Sequence, residues 1–306
     1  MRLLPLFAPF ALCALAAGLL AAGPASAHDT WFQPAGRSDD VAPAGARTLA
    51  LGTGTQFPLQ ETAIGAEYLV TAACRGAEGP PQPLQPLHTT ERALLLRTPS
   101  SAGGLSCWAQ SQPFEITLAP AIVEVYLKEI AAPASVRAAW ADMQARGIAW
   151  TERYAKHARI ELPGGDVRAA APSGMALEAR PLGEQSGWRV GDTARFELLR
   201  DGRPLAGQAV EFRHERAPVG VWRRSDAQGQ LELRLPLPGR WVLRGTELRA
   251  VPDAPGHWDS RFVTLAFEVA AAPPQVDRMT SPNARSTNHS AASSAIASEP
   301  PMNTTR

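Results

Sequence analysis

A histidine, His28, stands directly after Ala25-Ser26-Ala27, a small-x-small triplet of the kind that ends a secretory leader. Arg2 supplies the charged start of that leader and residues 3–22 its apolar run. Cleavage after Ala27 predicts a mature chain that begins His28-Asp29-Thr30-Trp31-Phe32. A terminal histidine brings two donors from one residue, the α-amine and the imidazole Nδ1. Together they can close a chelate ring on a late first-row transition metal. Asp29 adds a carboxylate oxygen beside it. Trp31 and Phe32 carry enough apolar area to pin the terminus against a folded body.

Further ligands would have to come from distant segments. His257, with Asp259, lies in the Pro/Gly loop "APGHWDSRF" and is available to a metal. His157 sits in "RYAKHARI", where a helical pattern passes into a strand. His214 shares a strand face with Val210 and Phe212 and reads as a packed sandwich histidine. His88, in a Pro-rich loop, and His289, in the tail, are poor candidates. The chain has no His-x-x-x-His, no Cys-x-x-Cys and no Met-rich run. It also lacks a Gly-x-Ser-x-Gly elbow, a phosphate-binding loop and a dinucleotide fingerprint. The acidic residues are scattered through strand and turn patterns, with no pair placed for glycoside hydrolysis. A non-enzymatic role is expected.

The elements that must hold these residues are mostly strands. Removing residues 1–27 from 306 leaves 279, enough for two domains. The leader carries one basic residue, Arg2, so 30 basic against 29 acidic becomes 29 against 29. That balance argues against nucleic acid or a membrane surface as partner. No second apolar stretch is long enough to span a membrane. Cys13 leaves with the leader, and in an exported chain Cys74 and Cys107 are expected to form a disulfide.

Residues 28–132 read as a first β-sandwich, its short apolar runs bounded by Gly and Pro, with two strands about the Gly103-Gly104 turn. Residues 133–175 change character. Val136, Trp140 and Met143 at helical spacing predict a helix over 134–146, broken at Gly147. A second short helix is expected before a strand at "HARIEL", and then a flexible connection over 164–175. Residues 176–270 return to strands. The turns at Asp201-Gly202, Asp226–Gly229 and Pro238-Gly239 mark a second sandwich, with Val263, Leu265, Phe267 and Val269 facing inward. Residues 271–306 hold almost no large apolar side chains and predict a disordered tail. The fold class is therefore mainly β, two immunoglobulin-like or transthyretin-like sandwiches around a short helical insertion.

"HDTWFQP", "TERYAKHARIEL", "GDTARFELLRDGRPLAGQAVEF" and "HWDSRFVTLAFEV" together resemble domain-of-unknown-function family 4198 over residues 28–270. The second half also resembles the carboxypeptidase-regulatory, transthyretin-like sandwich. Members of the family are often described as periplasmic components of nickel or cobalt uptake systems. The chain is expected to be soluble and monomeric, and the resemblance implies a periplasmic protein that binds nickel or cobalt, or copper, and passes it to a membrane transporter, with His28 as first ligand. Family members tend to carry a histidine late in the strand after the Pro-Gly turn. This chain has Glu247 there, a harder ligand than imidazole. The alternative is an accessory sandwich that binds protein or carbohydrate and no metal.

Overall fold

The computed structural model describes residues 28–36, 43–77, 79–163, 171–183 and 187–273. The leader, residues 164–170 of the connection and nearly all of the tail lie outside them. In chain order the strands are β1 (Asp29–Pro34), β2 (Thr48–Gly54), β3 (Thr62–Ala63), β4 (Leu69–Arg75), β5 (Gln82–Pro83), β6 (Gln85–Thr89), β7 (Leu94–Arg97), β8 (Leu105–Ser111) and β9 (Phe114–Leu118). Helices α1 (Pro120–Glu129) and α2 (Ala134–Ala145) follow. Then come β10 (Trp150–Leu162), β11 (Leu177–Leu182), β12 (Trp188–Arg189), β13 (Thr193–Arg200), β14 (Arg203–Pro204), β15 (Ala209–His214), β16 (Val221–Arg224), β17 (Gln230–Arg234), β18 (Gly239–Ala250) and β19 (His257–Ala270).

These strands form three sheets, and the chain is mainly β. A ten-stranded sheet in the order β16-β15-β18-β19-β10-β8-β4-β5, with β12 and β9 on its flanks, is the middle layer. The β1-β2-β7-β6 sheet, with β3, covers one face, and β11-β13-β14, with β17, covers the other. Alternation along β19 records this layering. Ala266 joins Phe32, Leu49, Leu96 and Ile160 in the core under the first sheet. Val263, Leu265, Phe267 and Val269 join Phe196, Phe212 and Leu243 in the core under the third. The inward face read from the sequence is the one observed.

Strand β10 connects the two halves of the chain. It pairs with β8 and β9 on one side and runs parallel to β19 on the other. The short helix expected before "HARIEL" is absent, because the strand begins at Trp150. From His157 to Leu162 every residue of β10 is buried, since both faces are covered, and a strand of that kind shows no alternation to read. The two strands about Gly103-Gly104 also part company: β7 belongs to the first sheet and β8 to the ten-stranded one. Residues Met1–Ala272 group as one compact unit.

Helix α2 ends near its predicted point. Gly147 takes a φ of +70°, and the Ile148 N–H bonds the Met143 carbonyl, closing the last turn as a glycine permits. Both helices cap an aromatic core in which Trp150 stacks on Trp258 at 4.3 Å and meets Trp140 edge-on at 5.3 Å. Cys74 and Cys107 are disulfide-bonded and directly opposite each other on β4 and β8. Among the described residues no helix is long and apolar enough to cross a membrane.

Candidate functional site at the head of strand β1

Strand β1 is fixed from its first residues. Trp31 and Phe32 are buried, and Trp31 meets Phe57 edge-on at 5.7 Å. Burying two such side chains contributes about 1.5–3 kcal/mol each before ordering costs. Thr264 Oγ1 donates to the Thr30 carbonyl at 2.6 Å, and Gln60 Nε2 donates to the Trp31 carbonyl at 2.8 Å. The His28 carbonyl accepts a hydrogen bond from Lys156 Nζ at 2.5 Å. Lys156 is one of only two lysines in the chain. Burial pushes its ammonium down to about 8, while the Asp29 carboxylate pulls the other way. The rings of Tyr154 and Phe262 lie 5.8 and 5.4 Å from the Lys156 nitrogen.

The His28 side chain is partly open. Its Nε2 lies 3.7 Å from Glu61 Oε2, and Thr55 Oγ1 donates to the other Glu61 oxygen at 2.8 Å. The ring therefore turns Nε2 toward a carboxylate. Its Nδ1 makes no hydrogen bond to a described residue. Asp29 is committed elsewhere: Arg244 Nη1 donates to its carboxylate at 2.6 Å, and Arg244 also holds Glu211. Burial works against the Arg244 charge, but Asp29 and Glu211 outweigh it and hold the guanidinium above its ordinary range.

The remaining candidates lie apart from this corner. Lys156 and His157 are consecutive on a strand, so they point to opposite faces of the sheet. Lys156 reaches His28, which places His157 toward the third sheet. There Nδ1 of His157 bonds the Phe262 carbonyl at 2.9 Å, and burial pushes its pKa down to about 4. Glu247 also faces the third sheet and is tied to Arg200 at 3.0 Å and to Arg249. His257 opens β19 five residues before Phe262, roughly 16 Å along the strand at ~3.3 Å per residue. Only His28 and Asp29 of the five predicted metal residues lie together. His214 is satisfied on both nitrogens, by the Pro238 carbonyl and the Arg216 N–H, as its place on the strand implied.

Glu61 was missed by the sequence reading, and its loop position between β2 and β3 offered no signal. The carboxylates buried elsewhere are held structurally. Glu152 accepts from Tyr126 at 3.0 Å, Trp150 at 2.9 Å and Ser260, while burial raises its pKa. Glu161 and Glu178 flank the fully buried Arg159. Among the described residues no group of three or more His, Cys, Asp or Glu gathers in a way that could hold a metal. What the β1 corner offers is His28 Nδ1, without a hydrogen bond to a described residue, and a Glu61 carboxylate 3.7 Å from His28 Nε2.

The family described as "Domain of unknown function (DUF4198)" matches residues 25–246. No curated protein matches the chain.

Proposed function

The chain belongs to the DUF4198 family, and from that premise we propose that it is an exported, non-catalytic protein that captures a divalent nickel or cobalt ion, or copper, at His28. The observation that carries this reading is the His28–Glu61 arrangement. A carboxylate beside Nε2 favours the tautomer with its proton there and frees Nδ1 for the ion, the pairing common behind histidine ligands. Cleavage of the leader would supply the α-amine as the second donor. The corner is open, which suits an ion that is taken up and then handed to a membrane transporter.

The residues fit a bidentate anchor, with the other coordination positions left to water or to the recipient. Calorimetric titration of nickel into the processed chain and into His28→Ala tests the site. Loss of binding in the variant supports it, and unchanged binding contradicts it. A second reading, an accessory sandwich that binds protein or carbohydrate and no metal, draws support from the lack of any three-residue ligand cluster among the described residues. It predicts no nickel heat in either protein.

A further inference from the structure

We propose that β16, the terminal strand of the ten-stranded sheet, docks an extended acidic segment of a partner protein. Among the described residues β16 pairs with β15 alone, so its outer edge presents backbone groups that another strand can use. Its side chains combine exposed apolar groups with arginines. Trp222 is 38 % exposed and Val219, just ahead of the strand, 76 % exposed. Arg216, Arg223 and Arg224 donate only to backbone carbonyls, those of Pro238, Trp222 and Gly207. None of the three has an acidic partner among the described residues.

The nearby acid is kept off this surface. Glu211 lies opposite Trp222 in the register, yet it is buried and held by Arg213 and Arg244. Gly220 permits this, because a Cβ there would lie 2.1 Å from Glu211 Oε1. The result is an aromatic and three arginines with uncompensated charge on a free strand edge. Arg224 shares a face with Trp222 while Arg223 lies on the opposite one, so carboxylates along one face of an added strand complement the arginine on that face, and the partly exposed Trp222 supplies the aromatic anchor that such contacts use. An anionic lipid surface would match the charge but leave the strand edge unused. The surface is independent of the metal reading, although Trp222, Glu211, Arg244 and Asp29 follow one another across the same sheet face toward His28.

The test uses the full chain and a dye-labelled peptide, acetyl-Glu-Val-Glu-Val-Glu-Val-Glu-amide. A second peptide carries proline at the central valine, and vesicles of phosphatidylglycerol form a third arm. Expected are saturable peptide binding, slowed amide exchange over 221–224, and failure of the proline peptide. Arg223→Glu with Arg224→Glu should weaken binding by about tenfold or more, and Trp222→Ala alone by about tenfold. These side chains are exposed, so thermal melts of both variants should match the parent. No saturable peptide binding, binding unchanged in both variants, or binding to vesicles alone would overturn the proposal. So would self-association of the arginine variant without peptide binding, since the arginines would then only guard the edge.

Discussion

Asp29 and Arg244 stand 215 residues apart in the chain and form a largely buried ion pair at 2.6 Å. The pair ties the head of β1 to the middle sheet and sets where His28 emerges. The Asp29 carboxylate is thereby engaged with a guanidinium.

Arg244→Met should destabilise the protein by about 3–5 kcal/mol, because it strands Asp29 as a buried carboxylate without its ion-pair partner and leaves Glu211 to Arg213 alone. Asp29→Asn leaves Arg244 with Glu211 and should cost less, about 1–3 kcal/mol. Urea unfolding with an unchanged m-value would give this order. An Asp29→Asn variant less stable than Arg244→Met would contradict it.

His157 should make stability pH-dependent. Burial lowers its folded pKa from 6.5 to about 4, while the Phe262 carbonyl bond works the other way. Between those values the unfolded chain takes a proton that the folded chain refuses. The contribution is therefore complete above 6.5 and is lost as pH falls toward 4. Its size is of order 3 kcal/mol, at about 1.4 kcal/mol per pH unit. The difference in stability between parent and His157→Gln, measured from pH 7 to 4, should shrink by that order. A difference flat in pH would contradict the assignment.

The Cys74–Cys107 bridge closes a separation of 33 residues. Replacing both with alanine should cost about 3–4 kcal/mol through the freed unfolded chain. Scanning calorimetry should show a melt lower by roughly 7–15 °C, at about 2–4 °C per kcal/mol for a body of this size. An unchanged melt would mean that the bridge constrains little.

Much of the fold was legible from residues. The alternation of Val263, Leu265, Phe267 and Val269, the break at Gly147 and the cysteine pairing all follow from local rules. The run from His157 to Leu162 was not, because a strand covered on both faces loses the period that identifies it. The site was legible only at His28 and in the pinning by Trp31 and Phe32. Glu61 and Arg244 reach the β1 corner through tertiary packing, and nothing in their own segments announces it. Lys156 carried a faint signal, as one of two lysines in an arginine-rich chain. The pleat separates the wider set of candidates: His157 and Glu247 lie on the face of the sheet opposite to Asp29 and Lys156.

Glu61→Gln should weaken nickel binding by about 10–100-fold while leaving the thermal melt in place, since Glu61 orients the ring and is partly exposed. Titration and melt on the same sample would separate the two effects. Equal affinity in parent and variant would remove Glu61 from the site.

In the proposed site the free amine and Nδ1 of His28 act together. Nickel titration of the chain beginning at His28, against one that retains Ala27 ahead of it, isolates the contribution of the amine. The amine becomes an amide in the longer chain, while every other contact stays. Binding confined to the chain that begins at His28 is the predicted result, and equal affinity in the two would contradict the chelate.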